Sequence, residues 1–330
     1  SPGCGEDGNL ALTRQIFADR AVDRGLWYLF KLGIHSNDDN LGHSAHICTL
    51  PGSYKLYSLG HALNAFLRRG HGHGEGRDND PYYRYMTQCG LHAMLSMMNF
   101  VVPDFDDTAA LGVDGQAIEF YPNFGITSGH WSSYESTAWI EPIANFGAPE
   151  YVSPVGNDST FNRSLSEIGQ DLADGMIHCM TPNGGWYYTC NSGDTTDGST
   201  NGWAPEALRL LARKLDVETY DSMKTLQRNW LAAHCPNGYC SYHNGGAKLA
   251  GNTLVGYGWT ESEQFDANPQ AASSLSAAQS WFMTDSSHWG LYYIYAVTKG
   301  LRSFIPEVST LPNGIQWSQA FTDYFLTGND

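Results

Sequence analysis

The sequence predicts an all-α domain of about six helical hairpins closed into a ring. Three observations predict it. Apolar residues recur at three- and four-residue spacing along most of the chain. Loops rich in Gly, Asn, Asp and Ser separate these stretches, and none of them alternates as a strand does, although short hairpins fit within the loops. Helix pairs return about every 45–55 residues; each hairpin must stack its apolar face on a neighbour, and closing the ring removes the exposed ends.

The elements follow in order. Ile16, Phe17, Val22, Leu26, Leu29 and Phe30 set a helix over 10–32, which Gly33 stops. A second helix covers 55–67, where Arg68-Arg69-Gly70 suits a basic last turn and a C-cap. His71-Gly72-His73-Gly74-Glu75-Gly76 then reads as a loop, and Pro81 opens a third helix over 81–100 in the position where proline is tolerated. Further helices are expected over 132–146, 163–180, 203–214, 217–234, 269–283, 287–301 and 315–327. Asp216 or Thr219 is placed to cap the helix that ends before Cys235. Residues 103–130 and 241–266 read as long, Gly-rich, irregular loops. No Pro/Ser-rich linker interrupts the chain, so 1–330 is read as a single domain.

Composition narrows the function classes. The net charge is −16, with 34 acids against 18 scattered bases, which disfavours nucleic acid. No uninterrupted apolar run of about 18 residues occurs, so no membrane insertion is expected. The opening Ser1-Pro2-Gly3-Cys4 has the look of a processed mature end. Seven cysteines occur without a C-x-x-C pair. Cys179 and Cys190 flank the turn signal Pro182-Asn183-Gly184-Gly185, and Cys235 and Cys240 flank Pro236-Asn237-Gly238, so both pairs are expected as disulfides. Cys4 and Cys48 are assigned as a third pair and Cys89 is left free. Bridges imply an oxidising, extracellular setting; buried thiols in a cytosolic core are the alternative.

Three segments carry a family resemblance. Gly184-Gly185-Trp186-Tyr187-Tyr188 leads through the polar run 194–202 to Trp203 and a helix; Tyr292-Tyr293-Ile294-Tyr295-Ala296-Val297-Thr298-Lys299-Gly300-Leu301-Arg302 precedes Ile315-Gln316-Trp317 and Tyr324-Phe325-Leu326; Ala21-Val22-Asp23-Arg24-Gly25-Leu26-Trp27-Tyr28-Leu29 lies near the start. In this order they resemble repeats of the prenyltransferase and squalene-cyclase-like toroid superfamily, above all its uncharacterised secreted bacterial members. The resemblance implies an α/α toroid with a central cavity and imports no activity. The run Asp104-Phe105-Asp106-Asp107 has the D-x-D-D form of a cyclase proton donor, with an acidic loop as its alternative. No Asp-x-Cys pair of a zinc prenyltransferase occurs. Gly3-Cys4-Gly5-Glu6-Asp7 resembles the thioester motif of complement-type toroids, but Asp7 replaces the Gln whose amide that bond needs.

Other candidates come from residue chemistry. His130 and Glu135 flank one loop-to-helix junction, Asp285 and His288 another. A Glu with a His can act as acid and base on a glycan; the alternative is that Asp285 belongs to an N-cap. Asp194 and Asp197 on a Ser/Thr/Gly loop suit calcium, or simple turn chemistry, and Asp38, Asp39 and Asn40 form a similar loop. His71, His73 and Glu75, and the close pair His43 and His46, suit a metal or a solvated loop. Asn157 and Asn162 match the N-glycosylation pattern. H-E-x-x-H, G-x-S-x-G and nucleotide loops are absent.

The reading that follows is a secreted, non-catalytic structural or binding protein that self-associates into a homo-oligomer or filament, or attaches at the cell surface. Phe105, Phe120, Tyr121, Phe124, Tyr257 and Trp259, on the two long loops, are expected to insert into a neighbouring subunit. The alternatives are a polysaccharide lyase or hydrolase using the central cavity, with a glycan as partner, and a toroid that binds a lipid or terpenoid or cyclises one.

Overall fold

The computed structural model describes residues 6–35, 55–72, 81–98, 133–157, 160–188, 195–241, 248–260 and 290–327, together with residues 273 and 276. The fold is all-α. In chain order the helices are α1 (Glu6–His35), α2 (Lys55–Arg68), α3 (Pro81–Met97), α4 (Ser133–Phe146), α5 (Leu165–His178), α6 (Thr200–Leu215), α7 (Asp221–His234), α8 (Ala250–Thr260), α9 (Gly290–Arg302) and α10 (Trp317–Thr327). A two-residue antiparallel pair, β1 (Cys240–Ser241) and β2 (Lys248–Leu249), introduces α8, with Cys240 opposite Leu249.

Helix ends follow local chemistry. Ser164 caps α5 in a full capping box, accepting from the Glu167 amide while Glu167 reaches back to the Ser164 amide. α6 begins below the Gly-Gly-aromatic turn. Gly184 holds φ +94° there, and a Cβ on it would lie 2.2 Å from the Leu226 carbonyl oxygen. Trp186 is fully buried, its indole donates to the Met176 carbonyl at 2.8 Å, and Asn201 of α6 accepts from its amide at 3.2 Å. Of Asp216 and Thr219, either of which is expected to cap α7, Asp216 instead closes α6 in the left-handed conformation at φ 56°, and α7 starts after Tyr220 without a side-chain cap from either.

Five helices lie side by side in a row: α2 against α4, α4 against α6, α6 against α8 and α8 against α9. The intervening helices pack on these, α3 on α2, α5 on α6 and α7 on α8, while α1 touches both α2 and α10. One core runs from Leu63 and Leu91 through Trp139, Ile143 and Leu172 to Trp186 and Leu208. A second joins Trp230, Leu254, Val297, Phe304 and Trp317.

Within the expected loop over 241–266, residues 250–260 form the helix α8, which overturns the expectation there. Every residue of α8 is buried. Its glycines cost helix propensity, about 1 kcal/mol each against Ala. They are required by close packing. A Cβ on Gly251 would lie 2.5 Å from the Val297 amide nitrogen, and one on Gly258 would lie 2.0 Å from the Ser303 Cβ. On the facing helix, Gly300 opposes Leu254 in the same way. Tyr257 and Trp259 are therefore core residues of this chain, so the expected insertion of these two rings into a neighbour does not hold. The segment 103–130, with its four aromatics, lies outside the described residues, as does all of the expected helix over 269–283 except 273 and 276.

Candidate functional site

Four of the side-by-side helices send polar side chains to one place. α2 supplies His61, Asn64 and Arg68; α4 supplies Glu141 and Asn145; α6 supplies Trp203, Glu206 and Arg209; α9 supplies Tyr295 and Lys299. On each helix successive members of the set stand three or four apart, so neighbouring members lie on the same side of the helix.

Glu141 is the hub and is buried. The Lys299 ammonium forms a close ion pair with its Oε1, bridging α4 and α9. Asn64 donates to its Oε2 at 2.8 Å, and Asn145 donates to Asn64 at 2.7 Å, so the acceptor is held by a relay of amides. Arg68 stands 3.6 Å from Glu141 and 3.5 Å from Glu206. Glu206 is buried and pairs with Arg209 at 2.8 Å. Lys299 also lies over two ring faces, 4.5 Å from Trp203 and 4.4 Å from Tyr295, and the His61 ring stands edge-on to both rings.

The electrostatics follow from this crowding. Burial pushes the Glu141 carboxyl up, but Lys299, Arg68 and His61 together outweigh it and hold the group below its ordinary range. Burial pulls the Lys299 ammonium below its ordinary value against the attraction of Glu141 and Glu206. Burial lowers His61 too, with Lys299 and Arg68 adding to the effect and Glu141 opposing it, which favours a neutral ring. For Arg68 the two carboxylates outweigh burial and raise the guanidinium. Two carboxylates thus face three cations, leaving one positive charge in excess among the described residues. Arg68 is the accessible member, its side chain 32% exposed, and its two carboxylate contacts are long. A guanidinium carries five N–H donors, so Arg68 retains capacity for an anion.

None of the cluster residues is among the sequence-based candidates. Glu135 lies in the first turn of α4. His130, Asp285, His288, Asp104, Asp106, Asp107 and Asp194 lie outside the described residues, as do Asp38, Asp39, Asn40, His43, His46, His73 and Glu75. Asp197 is buried and makes a turn ahead of α6: its Oδ1 accepts from the amides of Ser199 at 2.8 Å and Thr200 at 3.3 Å, and from the Ser199 hydroxyl. Among the described residues no group of three His, Cys, Asp or Glu side chains is arranged to hold a metal. His71 is buried and stacks edge-on with Phe66 and Tyr83, so it is no solvated loop residue. Asn157 is exposed but its side-chain amide donates to the Met98 carbonyl at 3.1 Å; Asn162 is exposed at φ 61°. Cys235 and Cys240 are bonded. Cys179 and Cys89 are disulfide-bonded as well, the latter against the expectation of a free thiol. Cys4, Cys48 and Cys190 lie outside the described residues.

Sequence reasoning missed the charged cluster. The signal was present: His61, Asn64 and Arg68, Trp203 and Glu206, and Tyr295 and Lys299 interrupt otherwise apolar helices at helical spacing. In His61-Ala62, Trp203-Ala204 and Tyr295-Ala296 a ring precedes an alanine in three of the four helices.

No family model, no curated protein and no solved structure matches this chain.

Proposed function

We propose that this chain is a secreted α/α toroid that binds an acidic ligand at its axis without turning it over. The observation that carries the reading is the convergence of α2, α4, α6 and α9 on one buried cluster with an excess cation at its accessible edge. Side chains from four helices meet at a common point when those helices surround it, which supports closure of the side-by-side helices into an inner ring. The resemblance to toroid repeats in the sequence agrees. The disulfide chemistry suits an oxidising setting, and no described helix is long and apolar enough to cross a membrane.

Lys299 and Glu141 neutralise each other and are held by amides and ring faces, an arrangement suited to a rigid receptor. The ligand charge then falls to Arg68, whose fork matches a carboxylate. Carboxylate-bearing glycans are the class that fits a secreted protein. A charged axis does not suit an apolar lipid or terpenoid.

The test is calorimetric titration of the full chain with a uronate oligosaccharide and with its neutral counterpart. Saturable binding of the uronate alone is expected, weakened about tenfold or more in Arg68→Ala. Absent uronate binding, or equal binding by the variant, overturns the reading.

His61 favours a second reading, a polysaccharide-cleaving enzyme. A ring kept neutral beside a cation can take a proton from a uronate whose carboxylate Arg68 neutralises. Turnover of polyuronates that disappears in His61→Ala supports this reading; no turnover by the native protein removes it.

A further inference from the structure

α1 is 30 residues long, about 45 Å, and only Leu26 among its described side chains is buried. Leu26 docks on Phe66 beside Tyr83 and Met86. The outward side is rich in large apolar groups: Ile16 is 42% exposed, Phe17 53%, Trp27 50% and Tyr28 59%. Single exposed apolar residues mean little, but this many on one helix mark an interaction face.

The pattern on that face is self-complementary. Ile16, Arg20, Asp23 and Trp27 follow one another at spacings of four, three and four, so they form one narrow stripe along the helix. The stripe reads apolar, basic, acidic, apolar. Reversed, it reads apolar, acidic, basic, apolar. An antiparallel copy aligned about the midpoint between Arg20 and Asp23 therefore sets each Arg20 against an Asp23 and each Ile16 against a Trp27. Such a pairing is isologous and closes at two copies. Arg20 and Asp23 are both exposed. Asp23 has only a distant contact at 3.6 Å with Arg69, which is held more closely by Asp19 at 2.8 Å. Arg20 near the centre, Trp27 at the end of the stripe and Phe17 and Tyr28 beside it include the Arg, Trp and Tyr types that dominate binding energy at interfaces.

We propose that α1 pairs antiparallel with α1 of a second copy of this chain, about a two-fold axis level with the midpoint between Arg20 and Asp23. This is independent of any ligand at the charged cluster, because none of the described α1 side chains belongs to that cluster.

The test is a charge swap read by sedimentation equilibrium of the full chain, with circular dichroism confirming the fold of each variant. The wild-type chain is expected to dimerise. Arg20→Asp and Asp23→Arg each place like charges in opposition and should weaken the dimer about tenfold or more. The double variant restores opposite charges and should return to within about threefold of the wild-type constant. A monomeric wild-type chain, a dimer insensitive to either single change, or a double variant no better than the singles overturns the proposal. Uronate binding by monomeric and dimeric forms alike would leave the two readings separable.

Discussion

At the scale of residues, the ion pair of Glu141 and Lys299 decides most. Both groups have left water, so their attraction offsets a desolvation cost that either alone could not bear. Lys299→Met is expected to destabilise the fold by about 3–5 kcal/mol, because it strands a buried carboxylate. Replacing both, with Glu141→Leu, should recover most of that loss; chemical denaturation of the three proteins checks it. The pH dependence follows from the direction of the Glu141 shift. A carboxyl held below its unfolded value contributes stability that is complete above that value, and it is lost as pH falls through the folded value. Urea unfolding from about pH 5 down to pH 2 should therefore show a steeper loss for the wild-type chain than for Glu141→Leu/Lys299→Met. This cluster was legible in the sequence only as polar interruptions of apolar helices. Which interruptions meet depends on contacts 77 to 158 residues apart, between Asn64 and Glu141 and between Lys299 and Glu141, and local spacing does not encode those.

At the scale of elements, local periodicity located most helices, because an amphipathic stripe and a cap are properties of consecutive residues. α5 shows this well: Ser164, Glu167 and the spacing of Ile168, Leu172 and Met176 specify its start and its buried face. α8 defeated the same reasoning. It is buried all round, so it has no polar face to reveal its period, and its glycines imitate a loop. Those glycines answer to neighbours, as the contact of Gly251 with the α9 backbone shows. Gly251→Ala is expected to destabilise by about 1–3 kcal/mol through overpacking. Gly25→Ala, in exposed α1 with nothing within 4 Å of its Cβ, should instead stabilise by about 0.5–1 kcal/mol. Thermal denaturation of the two variants should move in opposite directions; a shared direction would show that propensity or packing alone governs both.

At the scale of the whole molecule, the all-α class was readable from the sequence, whereas the arrangement rests on long-range contacts. Helices α2, α4, α6, α8 and α9 stand side by side in that order, α1 meets α10, and charges from α2, α4, α6 and α9 converge. An acidic chain of net charge −16 can hold an excess cation at such a point because the neighbouring carboxylates and amides, not the distant surface, set the local potential. Of the long apolar-aromatic loops invoked for assembly, 250–260 is a core helix, whereas Ile16, Phe17, Trp27 and Tyr28 of α1 are exposed. The measurement that tests the convergence most directly is a double-mutant cycle between Glu141→Gln and Lys299→Met, read by urea denaturation. A coupling of about 1.5 kcal/mol or more is predicted, since the two side chains bond to each other between α4 and α9. Additive losses, with a coupling below about 0.3 kcal/mol, would mean that α4 and α9 do not bring these two side chains together and would contradict the account.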